Sequence, residues 1–116
     1  MTIDQFILKL TQHPELIEFS DTLDVIDENY DFAPAKFTNN RAVNDENENN
    51  GSCKIFAFGL LKSLSKQQTL ACFGSYYRDD VLAHPENDDH QNIRNFIEAG
   101  WDGIHFSSAA LIPNQV

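Results

Sequence analysis

The chain is poor in basic residues and in cysteine. Eight Lys and Arg stand against eighteen Asp and Glu in 116 residues, so the net charge is −10. A negative field of this size disfavours nucleic acids and anionic membranes, because both are held by clusters of basic side chains. Two cysteines are too few for a disulfide framework, and we expect both to be reduced thiols in a reducing compartment.

Long apolar runs are also lacking. No run approaches the ~18 residues of a membrane-spanning helix. The first residues have neither the basic nor the apolar region of a cleaved signal peptide. We therefore expect a cytoplasmic protein that binds neither a membrane nor nucleic acid.

The apolar content is sufficient for one compact domain covering residues 1–116. Hydrophobic residues make up 41% of the chain, and nine phenylalanines supply bulky side chains for a core. No internal repeat or linker divides the sequence. The sequence specifies no oligomeric state.

Helix signals recur along the chain. Capping-box patterns at Thr2–Gln5 and Ser65–Gln68 predict two helix starts, and the second helix of this pair is expected to continue to Val81. Pro14 is well placed to open another helix. The run Ile55–Leu61 is apolar on all sides, which predicts a helix in the middle of the core.

The last helix and the strands are predicted from turn residues. Asp89 is the expected N-cap of a helix that ends at Gly100. Three further segments are expected to be extended: a hairpin joined at Asn39-Asn40, then Trp101–Phe106, then Ala110–Ile112. The fold class predicted is therefore α+β, with about five helices around a small, mostly antiparallel sheet.

The negative charge is concentrated in the first half of the chain. Residues 1–50 contain eleven Asp and Glu against three Lys and Arg. Much of this charge falls on one face of the helix expected after Pro14, and such a face suits a protein partner with a basic surface. The residues of this acidic face are Asp21, Asp24, Asp27 and Glu28.

Cys53 is the candidate for catalysis. It follows a polar loop and enters the apolar run, so it is expected in the first turn of a helix, where free N–H groups favour the thiolate. Gly51-Ser52-Cys53 is similar to the nucleophile segment of papain-like enzymes, although Lys54 replaces their aromatic residue. Such chemistry needs a histidine base, for which His105 and His90 are the candidates. A small buried core contact is the other interpretation of Cys53.

No metal site or cofactor is predicted. Asp45, Asn47 and Asn49 alternate like the start of a calcium loop, but Asn50 and Phe56 occupy the positions of its glycine and glutamate. The cysteines and histidines are spaced too widely for a structural zinc site.

The segment His84–Asn95 is the densest polar stretch. Its side chains either tie loops to helix ends or help to form a binding site for a small ligand or a protein partner. The candidate binding residues are His90, Arg94, Tyr76 and Tyr77.

Several segments together resemble the HopJ family of type III effectors. The resemblance covers nearly the whole chain and rests on long motifs. It implies a small domain of bacterial origin that is found in the bacterial cytoplasm and is secreted into host cells. It implies no activity, cofactor or catalytic residue, so a protein-binding role is the primary hypothesis and a Cys53-dependent hydrolase or transferase the alternative. The matching segments are Asp31–Phe32, Phe37–Asn39, Glu48–Phe58, Thr69–Arg78, Asp89–Phe96 and Gly100–Phe106.

Overall fold

The computed structural model describes residues 1–114. In this part of the chain five α-helices pack with two small antiparallel sheets, so the predicted α+β class is confirmed. The helices are α1 (Ile3–Gln12), α2 (Phe19–Asn29), α3 (Asn50–Leu61), α4 (Lys66–Ala71) and α5 (Gln91–Ala99).

Each strand has only three residues. Strands β1 and β5 form one pair, and β2 lies between β3 and β4 in the other sheet. The hairpin predicted around Asn39-Asn40 is present as β2–β3, with Asn40 at a φ of +57° in its turn. The strands are β1 (Tyr30–Phe32), β2 (Phe37–Asn39), β3 (Ala42–Asn44), β4 (Ile104–Phe106) and β5 (Leu111–Pro113).

Helix α3 is the centre of the core, as its apolar sequence predicts. Phe56 is fully buried, and its ring lies 5.0 Å from that of Phe96 and 5.5 Å from that of Phe73. Phe58 makes edge contacts with Phe6 and Tyr30 on the other side of the helix. Contacts of Phe58 with Tyr30 on β1 and of Phe56 with Phe37 on β2 link α3 to both sheets, and burying each phenylalanine contributes about 2 kcal/mol.

The two predicted capping boxes are present. Thr2 and Gln5 exchange hydrogen bonds at the start of α1, and Ser65 and Gln68 do the same at the start of α4. The helix predicted to begin at Pro14 is wrong in its start, because a short 3₁₀ turn at Pro14–Leu16 precedes α2.

The helix predicted to run from Ser65 to Val81 is also wrong in extent. It stops at Ala71, and the chain resumes as a π-helix over Tyr76–Val81. Gly74 lies between the two with a φ of +63°, and a Cβ there would come within 2.6 Å of the Phe19 amide nitrogen. The close approach of α2 therefore requires a glycine and a break at this point.

Asp89 does not cap α5. The N-cap is His90, in the left-handed conformation, and Asp89 bonds instead to Arg94. A 3₁₀ turn at Gly100–Gly103 shortens the strand predicted at Trp101–Phe106 to β4.

Candidate functional site

A cavity of about 350 Å³ lies where the first turns of α3 and α5 meet the start of α2 and the π-helix. Four separate segments of the chain contribute to its walls. They are Phe19, Asn49 with Gly51 and Ser52, Phe73 with Tyr76, and His90 to Ile93.

Both helices that reach this cavity begin at a residue with positive φ. Asn49 caps α3 with φ 52° and ψ 50°, and His90 caps α5 with φ 52° and ψ 48°. An N-cap residue normally has extended backbone and a side chain that bonds to the helix. Neither of these does so, and neither side chain bonds to the first N–H groups of its helix.

A cluster of asparagines ties these helix starts to the hairpin. The buried Asn92 Oδ1 accepts from Nδ2 of Asn39 at 3.1 Å and of Asn44 at 3.2 Å. Asn44 Oδ1 in turn accepts from Asn92 at 3.0 Å and from Asn49 at 2.7 Å. Buried amides bonded in this way fix one relative position of α3, α5 and β2–β3.

The mouth of the cavity has an aromatic wall. The Tyr76 ring lies 5.1 Å from the Phe19 ring and 5.1 Å from the His90 ring. His90 Nε2 lies 3.1 Å from Asp80 Oδ2 and 3.8 Å from Asp89 Oδ2. Tyr76 remains 41% exposed, so it offers contact surface to an incoming group.

Two of the four candidate binding residues therefore lie together, and two do not. Tyr76 and His90 form the cavity wall. Tyr77 lines a separate groove between α1 and α4. Arg94 folds back onto its own loop, where its guanidinium donates to Asp89 Oδ1 at 2.7 Å. The ion pair and hydrogen bond with Arg94 hold the pKa of the Asp89 carboxyl below its ordinary value.

Cys53 lies one residue beyond the cavity wall and faces the core. Its side chain is 1% exposed, and its thiol donates to the Ala35 carbonyl at 3.7 Å. Burial raises the pKa of the Cys53 thiol, which is opposite to the effect expected from a helix N-terminus. Within residues 1–114 no hydrogen bond joins this thiol to His90 or His105, and His105 is exposed on β4.

The acidic face of α2 is largely paired with nearby cations. Asp27 lies 2.8 Å from Lys54, and Glu28 lies 3.8 Å from the N-terminal ammonium group. Asp21 approaches Lys9 at 4.0 Å, and its Oδ2 accepts from the Glu18 amide. The face predicted from the sequence thus carries much less net charge than its carboxylates indicate.

The carboxylates beside the cavity are less compensated. Three acidic residues lie in 45–48, directly before Asn49, and five lie in 79–89, directly before His90. Among residues 1–114, ion pairs involve only two of these eight. Those two are Asp80, with His90, and Asp89, with His90 and Arg94. The two segments that lead into the cavity wall therefore carry six carboxylates without an ion pair in residues 1–114, whereas the acidic face of α2 has one, Asp24.

Neither a metal cluster nor a membrane span emerges from the described part of the chain. Groups of three or more His, Cys, Asp or Glu side chains suited to holding a metal ion do not occur in residues 1–114. Within the same residues, no helix is both long and apolar enough to cross a membrane.

The fold is that of a small α+β domain with a concave site where α2, α3, α5 and the π-helix meet. The family model described as HopJ type III effector protein matches residues 3–111. The chain belongs to this family. The resemblance noted in the sequence is thereby confirmed, and no transfer of catalytic residues follows from it.

A solved relative has nearly the same backbone. The chain is similar to a protein named VPA0580, whose crystal structure is described as that of a protein of unknown function. The two are 61% identical with a TM-score of 0.97, over 98% of this chain and 95% of that one. No curated protein matches the chain.

The sequence missed the residues that complete the cavity. Asn49, Ser52 and Phe19 are distant from Tyr76 and His90 along the chain, and only tertiary packing brings them together. The Asn-rich segment before Ser52 was the available signal, because asparagine tolerates the left-handed conformation that both the turn and the helix start use.

Proposed function

We propose that this chain is a protein-binding module whose partner presents a basic surface to the carboxylates beside the cavity. The supporting observation is the difference in compensation between the two acidic surfaces. The α2 face already has Lys9, Lys54 and the N-terminal ammonium as partners, whereas most carboxylates of 45–48 and 79–89 have none within residues 1–114.

Uncompensated carboxylates attract a basic partner for two reasons. Their field extends about a Debye length, roughly 8 Å at physiological salt, and increases the rate of encounter. They also have no intramolecular ion pair to break when a partner's lysine or arginine arrives, so binding does not sacrifice an existing interaction. Membership of a type III effector family supports a host cell as the place where this partner is met.

The burial of Cys53 favours binding over thiol chemistry. A cysteine nucleophile acts as the thiolate, and a buried thiol with a raised pKa supplies little of it. The role proposed for the chain accordingly requires no covalent step.

Two matched sets of neutralised residues test this function. One set changes the cavity side (Glu48→Gln, Asp79→Asn, Glu86→Gln, Asp88→Asn), and the other changes α2 (Asp21→Asn, Asp24→Asn, Asp27→Asn, Glu28→Gln). Each set shifts the net charge from −10 to −6. The probe is a fluorescent eight-residue glycine–serine peptide with two arginines, measured by anisotropy at about 20 and about 150 mM salt.

The cavity-side set should weaken binding about tenfold at low salt and flatten its salt dependence, whereas the α2 set should change it about twofold. Circular dichroism establishes that both variants remain folded. Equal effects of the two sets would reduce the interaction to net charge alone and overturn the proposed function. Absence of binding by the unmodified protein would overturn it as well.

A further inference from the structure

The cavity between α3, α5 and the π-helix has features that select one kind of side chain. Tyr76 is the exposed ring at its mouth, and it contacts the rings of Phe19 and His90. The faces of aromatic rings attract cations, most strongly where water is partly excluded. The mouth therefore combines an aromatic surface with the negative charge of the adjoining carboxylates.

The carboxylate nearest this wall is Asp80. Its Oδ2 lies 3.1 Å from His90 Nε2, and the His90 ring lies against Tyr76. Asp89, which is 3.8 Å from the same nitrogen, is already paired with Arg94. Asp80 is thus linked to this wall through His90, and a cation resting on Tyr76 would compete with His90 for it.

The inner wall of the cavity has the opposite electrostatic character. It is formed by the first turns of α3 and α5, at the partly buried Gly51 and Ser52 and at the buried Asn92, whereas Gln91 is exposed. Helix N-termini oppose a buried positive charge and favour hydrogen-bond acceptors. A cation is therefore stable only at the mouth, while neutral carbonyl groups suit the interior.

A peptide segment that contains arginine satisfies both requirements. We infer that the cavity receives an arginine side chain of the basic partner at Tyr76 and Asp80, with the peptide carbonyls of the same segment towards the inner wall. This site rests on the proposed function and gives it a location. Arginine is preferred to lysine because the planar guanidinium stacks on aromatic rings and is more weakly hydrated.

Three peptides and three proteins test the site. The arginine peptide described above is compared with a lysine analogue and with a citrulline analogue, which keeps the planar shape and removes the charge. The unmodified protein is compared with Tyr76→Ala and with Tyr76→Phe, which retains the ring. Anisotropy gives the affinities, and amide shifts in ¹H–¹⁵N spectra locate the contact.

We expect the arginine peptide to bind about fivefold more tightly than the lysine peptide and at least about tenfold more tightly than the citrulline peptide. Tyr76→Ala should lose about fivefold, and Tyr76→Phe should keep the original affinity. The largest shifts should fall on the amides of residues 51, 52, 76 and 90–92. Equal affinity for arginine and citrulline peptides would overturn the inference, as would an unchanged affinity in Tyr76→Ala.

Failure of this site is distinguishable from failure of the proposed function. If the variant with the cavity-side carboxylates neutralised loses peptide binding but Tyr76→Ala keeps it, the proposed function stands and the cavity is not the site of contact. If the unmodified protein binds no peptide, both proposals are overturned.

Discussion

The two acidic surfaces of this protein differ in what surrounds their carboxylates. On α2, Asp27 and Glu28 are held by Lys54 and the N-terminal ammonium group. Beside the cavity, Asp79, Glu86 and Asp88 are exposed and form no ion pair with residues 1–114. The count of acidic residues along the sequence points to the first half of the chain as the surface for a basic partner. The count of carboxylates without an ion pair points instead to the segments beside the cavity.

The difference follows from packing. Lys54 lies on α3, whose apolar body is buried, and its ammonium group lies over the Phe32 ring, 5.0 Å from the ring centroid, and 2.8 Å from Asp27. Among residues 1–114, the carboxylates of 79–89 form ion pairs only with His90 and Arg94. An acidic surface is thus available to a partner only where the fold brings few of its own cations near it.

The largest expected effect is at Gly74, whose backbone packs against the start of α2. Gly74→Ala places a Cβ 2.6 Å from the Phe19 amide nitrogen at a φ of +63°. Backbone strain and overpacking each cost about 1–3 kcal/mol, so the free energy of unfolding should fall by about 3 kcal/mol in urea denaturation. The peptide affinity should fall with it, because Phe19 would be displaced from the cavity wall.

Gly100→Ala is the matched control for this substitution. Gly100 has a φ of +61°, but a Cβ there would meet only the flexible Lys66 side chain at 3.6 Å. Its φ of 61° and ψ of −151° form a conformation that essentially only glycine adopts, so the cost of the substitution should be backbone strain alone, about 2 kcal/mol. Equal losses in the two variants would mean that the approach of α2 to Gly74 contributes little to stability.

Local signals and tertiary packing explain which elements could be predicted from the sequence. The capping boxes at Thr2 and Ser65 and the apolar α3 depend on neighbours within one turn, and all three are present. The break at Gly74 depends on Phe19, more than fifty residues away in the chain. No periodicity within 65–81 could indicate it.

The same division applies to the candidate site. Tyr76 and His90 are among the candidate binding residues named from the sequence, and both line one cavity. Their contact with the start of α3 requires the buried bonds among Asn39, Asn44 and Asn92. A sequence contains no local indication of which asparagines will meet.

The boundary between the cavity and the core can be mapped with thiols. Ser52 lines the cavity, whereas Cys53 is buried with a raised pKa and the pKa of Cys72 is raised to about 12. Alkylation by iodoacetamide needs the thiolate and access to it. The native unmodified protein should therefore react at least about tenfold more slowly than after denaturation, and Ser52→Cys should add one fast-reacting thiol. Fast modification of Cys53, identified by peptide mass spectrometry, would restore the thiol-enzyme alternative.

The smallest expected effect concerns the best-compensated carboxylate of the cavity side. Arg94 holds the pKa of Asp89 below its ordinary value. The pair therefore stabilises the fold at pH values above the ordinary pKa, and this contribution is lost as the pH falls through the lowered pKa. Arg94→Gln should return the pKa of Asp89 towards its ordinary value in an NMR titration, lower the stability slightly at neutral pH, and remove the part of the stability loss at acidic pH that this pair causes. At neutral pH it should also increase the affinity for the arginine peptide slightly, about twofold, because one more carboxylate beside the cavity would be uncompensated.

Arg41→Gln removes the same charge from the exposed β2–β3 turn and is the control. If both variants tighten the peptide equally, net charge rather than local compensation determines the affinity, and the contrast between the two acidic surfaces disappears.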